Sequence, residues 1–487
     1  MTNHSSPKVS LCMIVRNEEQ NLARCLDSVC DLVQEIVIVD TGSTDRTREI
    51  AQQYGALVIE TTWCDDFSAA RNQFLDHASG DWIFWMDADD ILPANQREPL
   101  RQLLCSLDYS PCAFHFWVNS PGSTSTTPTN SLTQIRLFRA DPQLRWTRRV
   151  HEQICPACEK LGYPQQFTEI EIQHLGYRDA SLMQRKINRD LRLLRMEYAT
   201  DPQNAGTLLY LGLNLMKTGK QSEAFGYLMR AYQITLNSSQ EYVAVILSML
   251  VDCLIQNGQL DHAWNISAES IRRFPKDLGL SLQQAVLLFH RRQNTMAIHL
   301  LRDCLSRPPV RNTFFGSSNL LNGREIKALL ARIYTDEQCF EDAEHLYQEL
   351  IAEEPTNANL WGYLGALYLT QKRSGDLDHA IHQVEKCPAG QSVAEVLRAA
   401  IQFENNNLSA ARKHCEEAIL LQPDGSWARA MLCQVLYRQQ DADGQLENAL
   451  RDLLRLDPLN QMANGMLQEL KQVQQVRQSQ WSVTVNM

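Results

Sequence analysis

Three carboxylates crowd into one short stretch, Asp87-Ala88-Asp89-Asp90. Held that close they repel one another unless a cation stands among them, and oxygen donors suit Mg²⁺ or Mn²⁺. They follow the apolar run Trp82-Ile83-Phe84-Trp85-Met86, which places them past the end of a buried strand. A cation there could bridge a diphosphate and stabilise its charge as it leaves. A plainer role is open as well: Asp89 or Asp90 could cap a helix after Pro93.

Three further segments carry candidate groups. Val39-Asp40-Thr41-Gly42-Ser43-Thr44-Asp45 puts a carboxylate at a strand end before a glycine turn, where it can accept hydrogen bonds from a base or ribose. Ser43 or Asp45 could also simply cap the next helix. In Asp65-Asp66-Phe67-Ser68-Ala69-Ala70-Arg71-Asn72, Arg71 shares a helix face with Phe67, Phe74 and Leu75. Arginine beside an apolar face pairs with a buried carboxylate or grips phosphate. Arg136-Leu137-Phe138-Arg139 and Arg145-Trp146-Thr147-Arg148-Arg149-Val150-His151-Glu152 concentrate arginine within an acidic chain, which favours a small anionic ligand over nucleic acid. His151 can serve as a neutral metal ligand and Glu152 as a general base, although such a pair is also common on a plain surface. Cys155-Pro156-Ala157-Cys158 reads as a loop, and no second such pair exists to complete a zinc site.

The elements that must position these groups alternate. Val9–Val15 is an apolar run too short for a helix and rich in strand formers. Asn17 to Cys30 reads as a helix with Leu22, Cys25, Leu26 and Val29 on one face. Strands are predicted at Glu35–Asp40, Leu57–Glu60 and Asp81–Asp87, and helices at Thr47–Tyr54 and Phe67–Ala78. Continuous apolar strands alternating with helices define a doubly wound parallel sheet, with ligands at the carboxyl ends of its strands. Asp40 and Asp87 both lie at such ends.

From about residue 185 the strand signal vanishes. Small residues recur at a fixed spacing, as in Gly212, Ala224, Ala231; Ala331, Ala343; and Ala399, Ala411, Ala418. Prolines follow the second small residue in Ala263/Pro275, Ala343/Pro355 and Ala411/Pro423. Small residues let antiparallel helices approach closely, and proline ends the second helix. This resembles the tetratricopeptide repeat, with its period of about 34 residues. Five units are recognisable, and 278–323 and 426–458 are degenerate. Arg307 to Ser318 looks like an interrupting loop, and the residues after Gln475 are a polar tail.

Taken together, five segments stand in the order found in family 2 glycosyltransferases: Leu11 to Glu19, Val39 to Asp45, Asp66 to Asn72, Gly80 to Asp90, and Arg136-Leu137-Phe138 with Val150-His151-Glu152. The resemblance covers about residues 8–180. With the repeat array it is similar to the branch that attaches sugar to cysteine in sublancin-type bacteriocin peptides, and to lipopolysaccharide-core glucosyltransferases, which lack a long array. It implies an α/β GT-A domain with a Rossmann-like doubly wound sheet over residues 1–184. An all-α tetratricopeptide solenoid over 185–475 and a tail over 476–487 would follow.

The resemblance further implies an inverting transfer from a nucleotide-diphosphate sugar, a UDP-sugar first among them, with a divalent cation, Mg²⁺ or Mn²⁺. Asp40, Arg16, Asn17, Glu18, Asp87 and Arg149 would bind the donor. Asp87, Asp89 and His151 would hold the metal. Glu152 would deprotonate the acceptor, and Arg71 or Arg149 would stabilise the departing diphosphate. Two departures from the family pattern stand out: Thr41 follows Asp40 where many relatives have a second carboxylate, and Asp90 replaces a common glutamate.

The remaining features narrow the alternatives. The 487-residue chain has a net charge of −11, which gives no global attraction to nucleic acid or anionic membrane. No apolar run is long enough to span a bilayer and no signal-peptide core is present, so a cytoplasmic protein is expected. Its 14 cysteines are scattered in apolar patterns that suit reduced thiols. Neither a P-loop nor a dinucleotide fingerprint is found. Nor does a glycine-rich loop follow the first strand, which counts against a sugar-nucleotide pyrophosphorylase. The competing reading is a non-catalytic adaptor whose repeats hold a protein partner. The same repeats could deliver a peptide or protein acceptor to the enzyme, or pair the chain with a copy of itself.

Overall fold

The computed structural model describes residues 6–120, 130–176, 180–236, 242–307, 323–440 and 444–472. The expected loop after Arg307 and the polar tail after Gln475 lie outside these residues. The described chain falls into two compact units, one running up to Ile246 and the other starting at Leu247.

The first unit is built on an eight-stranded sheet of order β3-β2-β1-β4-β7-β6-β8-β5. Its strands are β1 (Val9–Val15), β2 (Glu35–Asp40), β3 (Leu57–Glu60), β4 (Trp82–Trp85), β5 (Asp90–Ile91), β6 (Ala113–Ser120), β7 (Asn130–Arg139) and β8 (Gln165–His174). The β3-β2-β1-β4 half is parallel. Beyond β4 the sheet turns antiparallel through β7, so it is mixed rather than uniformly wound. Helices α1 (Leu22–Asp27), α2 (Thr47–Gln53), α3 (Phe67–His77), α4 (Arg97–Cys105) and α5 (Cys155–Lys160) accompany it.

Strand β1 shows why a continuous apolar run was required. Val9, Leu11, Met13 and Val15 pack on one face with Leu22, Leu26, Trp82 and Phe84. Cys12 packs on the other face with Val37, Val39, Phe74, Ile83 and Trp85. With both faces buried, no position can be polar without a partner. Ser10 meets that condition: it is fully buried and bonded to Glu35 and Gly80.

Two local expectations are corrected. The helix expected over 17–30 is confined to Leu22–Asp27. Asn17 adopts φ +54°, and the amides of Asn17, Glu18 and Glu19 donate to Ser43, Thr47 and Asp45 side chains instead of to a helix. The Cys155–Cys158 segment is the start of α5, not a loop, with proline at its first turn, where the missing N–H costs nothing. Burial and nearby negative charge push both thiols up to about 12, which opposes redox chemistry there.

The first unit continues into α6 (Ala180–Thr200), α7 (Ala205–Lys217) and α8 (Gln221–Thr235), and α9 (Tyr242–Gln256) begins in it. The second unit holds α10 (Leu260–Arg273), α11 (Leu278–His290), α12 (Asn294–Ser306), α13 (Arg324–Asp336), α14 (Phe340–Glu353), α15 (Ala358–Thr370), α16 (Ser374–Lys386), α17 (Gly390–Glu404), α18 (Leu408–Leu421), α19 (Ser426–Arg438) and α20 (Gln445–Leu456). The small residues read from sequence are buried throughout: Ala224, Ala231, Ala331, Ala343, Ala399, Ala411 and Ala418 have no exposed surface. Phe274, Glu354 and Gln422, each followed by proline, end α10, α14 and α18 by leaving helical backbone, with φ near −126°, −132° and −138° and ψ of 66°, 70° and 86°, because proline disfavours the α region in the residue before it. The segments that looked degenerate form the helix pairs α11–α12 and α19–α20.

Candidate active site

Parallel pairing brings the ends of three strands together. Val15 of β1 lies beside Asp40 of β2, and Cys12 of β1 beside Trp85 of β4. Arg16, the Asp40 turn and the Asp87–Asp90 loop therefore emerge at one edge of the sheet, where an open α/β sheet binds its ligands. Arg16 and Asn17 are exposed there and Glu18 is half-buried. Asn17 stitches two of these exits together: its side-chain oxygen accepts from the Thr44 amide at 2.8 Å. Asp40 is only 1% exposed. It accepts from the Ser43 amide at 3.0 Å and from the Ser43 hydroxyl, so it organises the turn that was expected to meet a base or ribose.

The acidic loop is ordered by Asp90. That carboxylate is fully buried, and it accepts from the Asp87 amide at 2.8 Å and from Arg136 Nη1 at 2.8 Å. Arg136 is itself buried, with its guanidinium 3.8 Å from the Trp85 ring centre. Asp90 thus caps no helix; it belongs to the short strand β5, which pairs Asp90 with His174 of β8. His174 Nδ1 lies 2.9 Å from Asp90 Oδ1 and 3.6 Å from Asp89 Oδ1.

Electrostatics separate the three carboxylates. Burial, opposed by His174 and reinforced by the charges of Asp87, Asp90 and Glu18, pushes the Asp89 carboxyl up to about 6. Asp87 is held near 2, because Arg71, Arg136 and His174 outweigh the cost of its burial. Donor atoms of Asp87, Asp90 and His174 lie within 4.8 Å of one another. Two carboxylates and an imidazole, with Asp89 adjoining under like-charge strain, are a donor set that fits a divalent cation.

His151 was expected in that group, and the structure places it differently. Its ring stacks on Tyr210 with centroids 4.0 Å apart and planes 7° apart, and its Nε2 is buried without a hydrogen-bond partner. Burial and the positive charges of Arg148, Lys217, Lys186 and Arg189 push it down to about 3. Those cations also make a poor setting for a metal. The histidine beside the aspartates is His174, which the sequence reading overlooked. The available signal was the alternation Ile170, Ile172, His174, the pattern of a strand with one face inward.

Arg71 links two of the expected groups. Its Nε donates to Glu152 at 2.7 Å and its Nη2 to Asp87 at 2.9 Å. The guanidinium sits 4.2 Å from the Trp85 ring centre and 5.1 Å from that of Trp146, and the side chain is 4% exposed. It is therefore a buried tie between two carboxylates rather than an open phosphate grip. The remainder of its motif holds the Glu152 loop. Asp66 caps α3 through the Ala69 amide, the Ser68 hydroxyl donates to the Arg148 carbonyl, and the Phe67 amide donates to the Arg149 carbonyl. Asn72 bonds both the amide and the carbonyl of Trp146. The Arg149 guanidinium, half-buried, reaches the Asp65 carbonyl at 3.3 Å.

A sheet exposing these groups at its strand ends defines an α/β domain with a ligand-binding edge. Residues 10–158 match the family described as "Glycosyl transferase family 2", so the N-terminal part of the chain carries a family 2 glycosyltransferase domain, with tetratricopeptide-type helix pairs after it. The chain is 39% identical over 220 residues to a TPR repeat-containing protein of Synechococcus elongatus, an overlap of 44% of this chain and 53% of the relative. It is 26% identical over 266 residues to the SPbeta prophage-derived glycosyltransferase SunS of Bacillus subtilis, an overlap of 53% of this chain and 61% of the relative. The matches thus span less than two thirds of either relative. A solved tetratricopeptide repeat protein from Parabacteroides merdae aligns over 52% of this chain and 94% of its own, with 15% identity and a TM-score of 0.42. Among the described residues, no helix is long and apolar enough to cross a membrane.

Proposed function

We propose that the protein is an inverting glycosyltransferase that takes a sugar from a nucleotide-diphosphate donor, a UDP-sugar foremost. The observation that supports this reading is the convergence of Arg16, the Asp40 turn and the Asp87–Asp90 loop at one sheet edge, with Glu152 tied to Asp87 through Arg71. Arg16, Asn17, Glu18 and the Asp40 turn would contact the nucleotide, and Arg149 would add positive charge near the diphosphate. Asp87, Asp90 and His174, the last in the place first given to His151, with Asp89 beside them, would hold Mg²⁺ or Mn²⁺; a bound cation supplies charge neutralisation for the leaving diphosphate.

Glu152 would take the proton from an acceptor hydroxyl, thiol or amide. That nucleophile forms its bond to the anomeric carbon as the carbon–oxygen bond to the diphosphate breaks, and nucleoside diphosphate departs. Holding both reactants in line provides much of the rate. The helix pairs, as repeats of this kind do, would present a surface to a peptide or protein acceptor. The catalytic segment would take in residues 1–184 and the repeat segment 185–475, and the protein would be cytoplasmic.

The test is a panel of UDP-, GDP- and dTDP-sugars incubated with the full chain, following nucleoside diphosphate release and thermal stabilisation. Release from one donor is expected. Neither release nor stabilisation with any donor would favour the adaptor reading.

A further inference from the structure

The short segment that carries Glu152 is strained. Arg148 (φ +83°) and His151 (φ +54°) both adopt left-handed backbone, which side-chain-bearing residues keep only when their surroundings force it. The hydrogen bonds from α3 account for one side of this segment. The other side is covered by α6 and α7.

Tyr210 of α7 meets both neighbours of Glu152. Its ring stacks on His151, and its hydroxyl is hydrogen-bonded to the Gln153 side chain. The same ring lies 4.8 Å from the Arg148 guanidinium. Arg148 Nε in turn donates to Glu197 of α6 at 3.2 Å, with both side chains nearly enclosed. Glu197 also accepts from the Thr207 hydroxyl at 2.7 Å. A second clasp binds the loop that leads into α3: Arg192 of α6 grips Asp65 with both terminal nitrogens at 2.6 Å, and Arg189 lies over the Phe67 ring.

We propose that Tyr210, on the first helix pair after the sheet, is a positioning residue for glycosyl transfer: by holding His151 and Gln153 it fixes the carboxylate of Glu152 that Arg71 links to Asp87. The repeat segment would then have a part in catalysis that does not depend on binding an acceptor. This rests on the proposed transferase reading. It goes beyond that reading in assigning the orientation of Glu152 to a residue outside the sheet. A buried aromatic ring suits this role, because stacking fixes an orientation while adding no charge beside the carboxylate.

The test compares the full chain with Tyr210→Ala, Tyr210→Phe and Glu197→Gln, the last loosening the same segment through Arg148 without opening a cavity. Two readouts are taken: kcat and donor KM for nucleoside diphosphate release, and amide hydrogen exchange across 147–153 with β1 as internal reference. Tyr210→Ala is expected to speed exchange across 147–153 alone and to lower kcat by about ten- to a hundredfold with donor KM nearly unchanged. Tyr210→Phe, which keeps the stack, should restore most of kcat, and Glu197→Gln should move both readouts in the same direction by less. Unchanged exchange in Tyr210→Ala and Glu197→Gln would overturn the proposal, as would faster exchange with unaltered kcat. So would a joint loss of kcat and donor affinity that phenylalanine does not repair. Should the wild type release nothing from any donor, the transferase reading fails, while the exchange comparison still decides whether Tyr210 holds the segment.

Discussion

Arg71 Nε donates to Glu152 at 2.7 Å across 81 residues of sequence, and the same guanidinium reaches Asp87 on its other side. One buried side chain thus sets the spacing between the proposed base and the acidic loop. Replacing it with alanine leaves the nearly enclosed Glu152 and the half-buried Asp87 without that counter-charge. Arg71→Ala is expected to lose about 3–5 kcal/mol of stability together with all turnover. Arg71→Lys keeps the charge but cannot bond both carboxylates in one plane; it should fold and still lose at least about tenfold in kcat. Denaturant titration with turnover measurement checks both, and a fully active Arg71→Lys would contradict the tie.

Asn72 offers a milder lesion of the same arrangement. Its amide bonds both backbone groups of Trp146, and Asn72→Ala would leave a Trp146 N–H and C=O without those partners. A loss of about 1–3 kcal/mol is expected, measured as a lower denaturant midpoint with an unchanged slope.

Acid stability should depend on Glu35, at the opposite end of the sheet. Its burial raises the carboxyl pKa, but hydrogen bonds from Ser10 and Ser79 and the charge of Lys8 outweigh that and hold it at about 2, below the ordinary value of 4.5. The folded state therefore favours the ionised form. This contribution is complete above pH 4.5 and fades as the pH falls toward 2. Glu35→Gln should be less stable than wild type at pH 7, with the gap closing in that acid range. A gap that stays constant from pH 7 to pH 2 would contradict the assignment.

In the first helix pair, a Cβ on Gly212 would fall 2.6 Å from Leu228 Cγ and 2.7 Å from its Cδ2. Alanine gains about 1 kcal/mol of helix propensity against about 1–3 kcal/mol of overpacking, so Gly212→Ala should sit near break-even or slightly below. Gly212→Val adds bulk with poorer propensity and should cost more than alanine does. Thermal unfolding of the two variants ranks them, and a valine variant as stable as wild type would show that the close approach is not needed.

Much of this was legible because buried strands and close helix contacts leave direct marks. The apolar runs at Val9–Val15 and Glu35–Asp40 admit few other readings, and the buried alanines fix the helix pairs. The sequence misleads where a side chain chooses its partner at long range. Leu22, Cys25 and Leu26 advertise a helix, but Asn17 takes left-handed backbone, φ +54°, where it bonds to Ser43 and Thr44, and the helix starts only at Leu22. His151 beside Glu152 looks like a metal ligand until Tyr210 is seen against it, and His174 reaches the aspartates only because β5 pairs with β8. The degenerate repeats were weak in sequence because their regularity lies in backbone rather than residue type. Arg292 and Gln440, in the degenerate pairs, take the same positive φ between paired helices as Gln338, Lys372 and Asn406 do in the recognisable ones, with no fixed side chain.

The proposed transfer depends on a cation held at the Asp87–Asp90 loop. Its most direct measurement is nucleoside diphosphate release from the preferred donor by wild type and Asp89→Ala, each with Mg²⁺ or Mn²⁺ and with chelator, alongside helix content by circular dichroism. Release by wild type that chelator abolishes is expected, and none from Asp89→Ala, with helix content unchanged in the variant. Equal release by Asp89→Ala, or release indifferent to chelator, would contradict it.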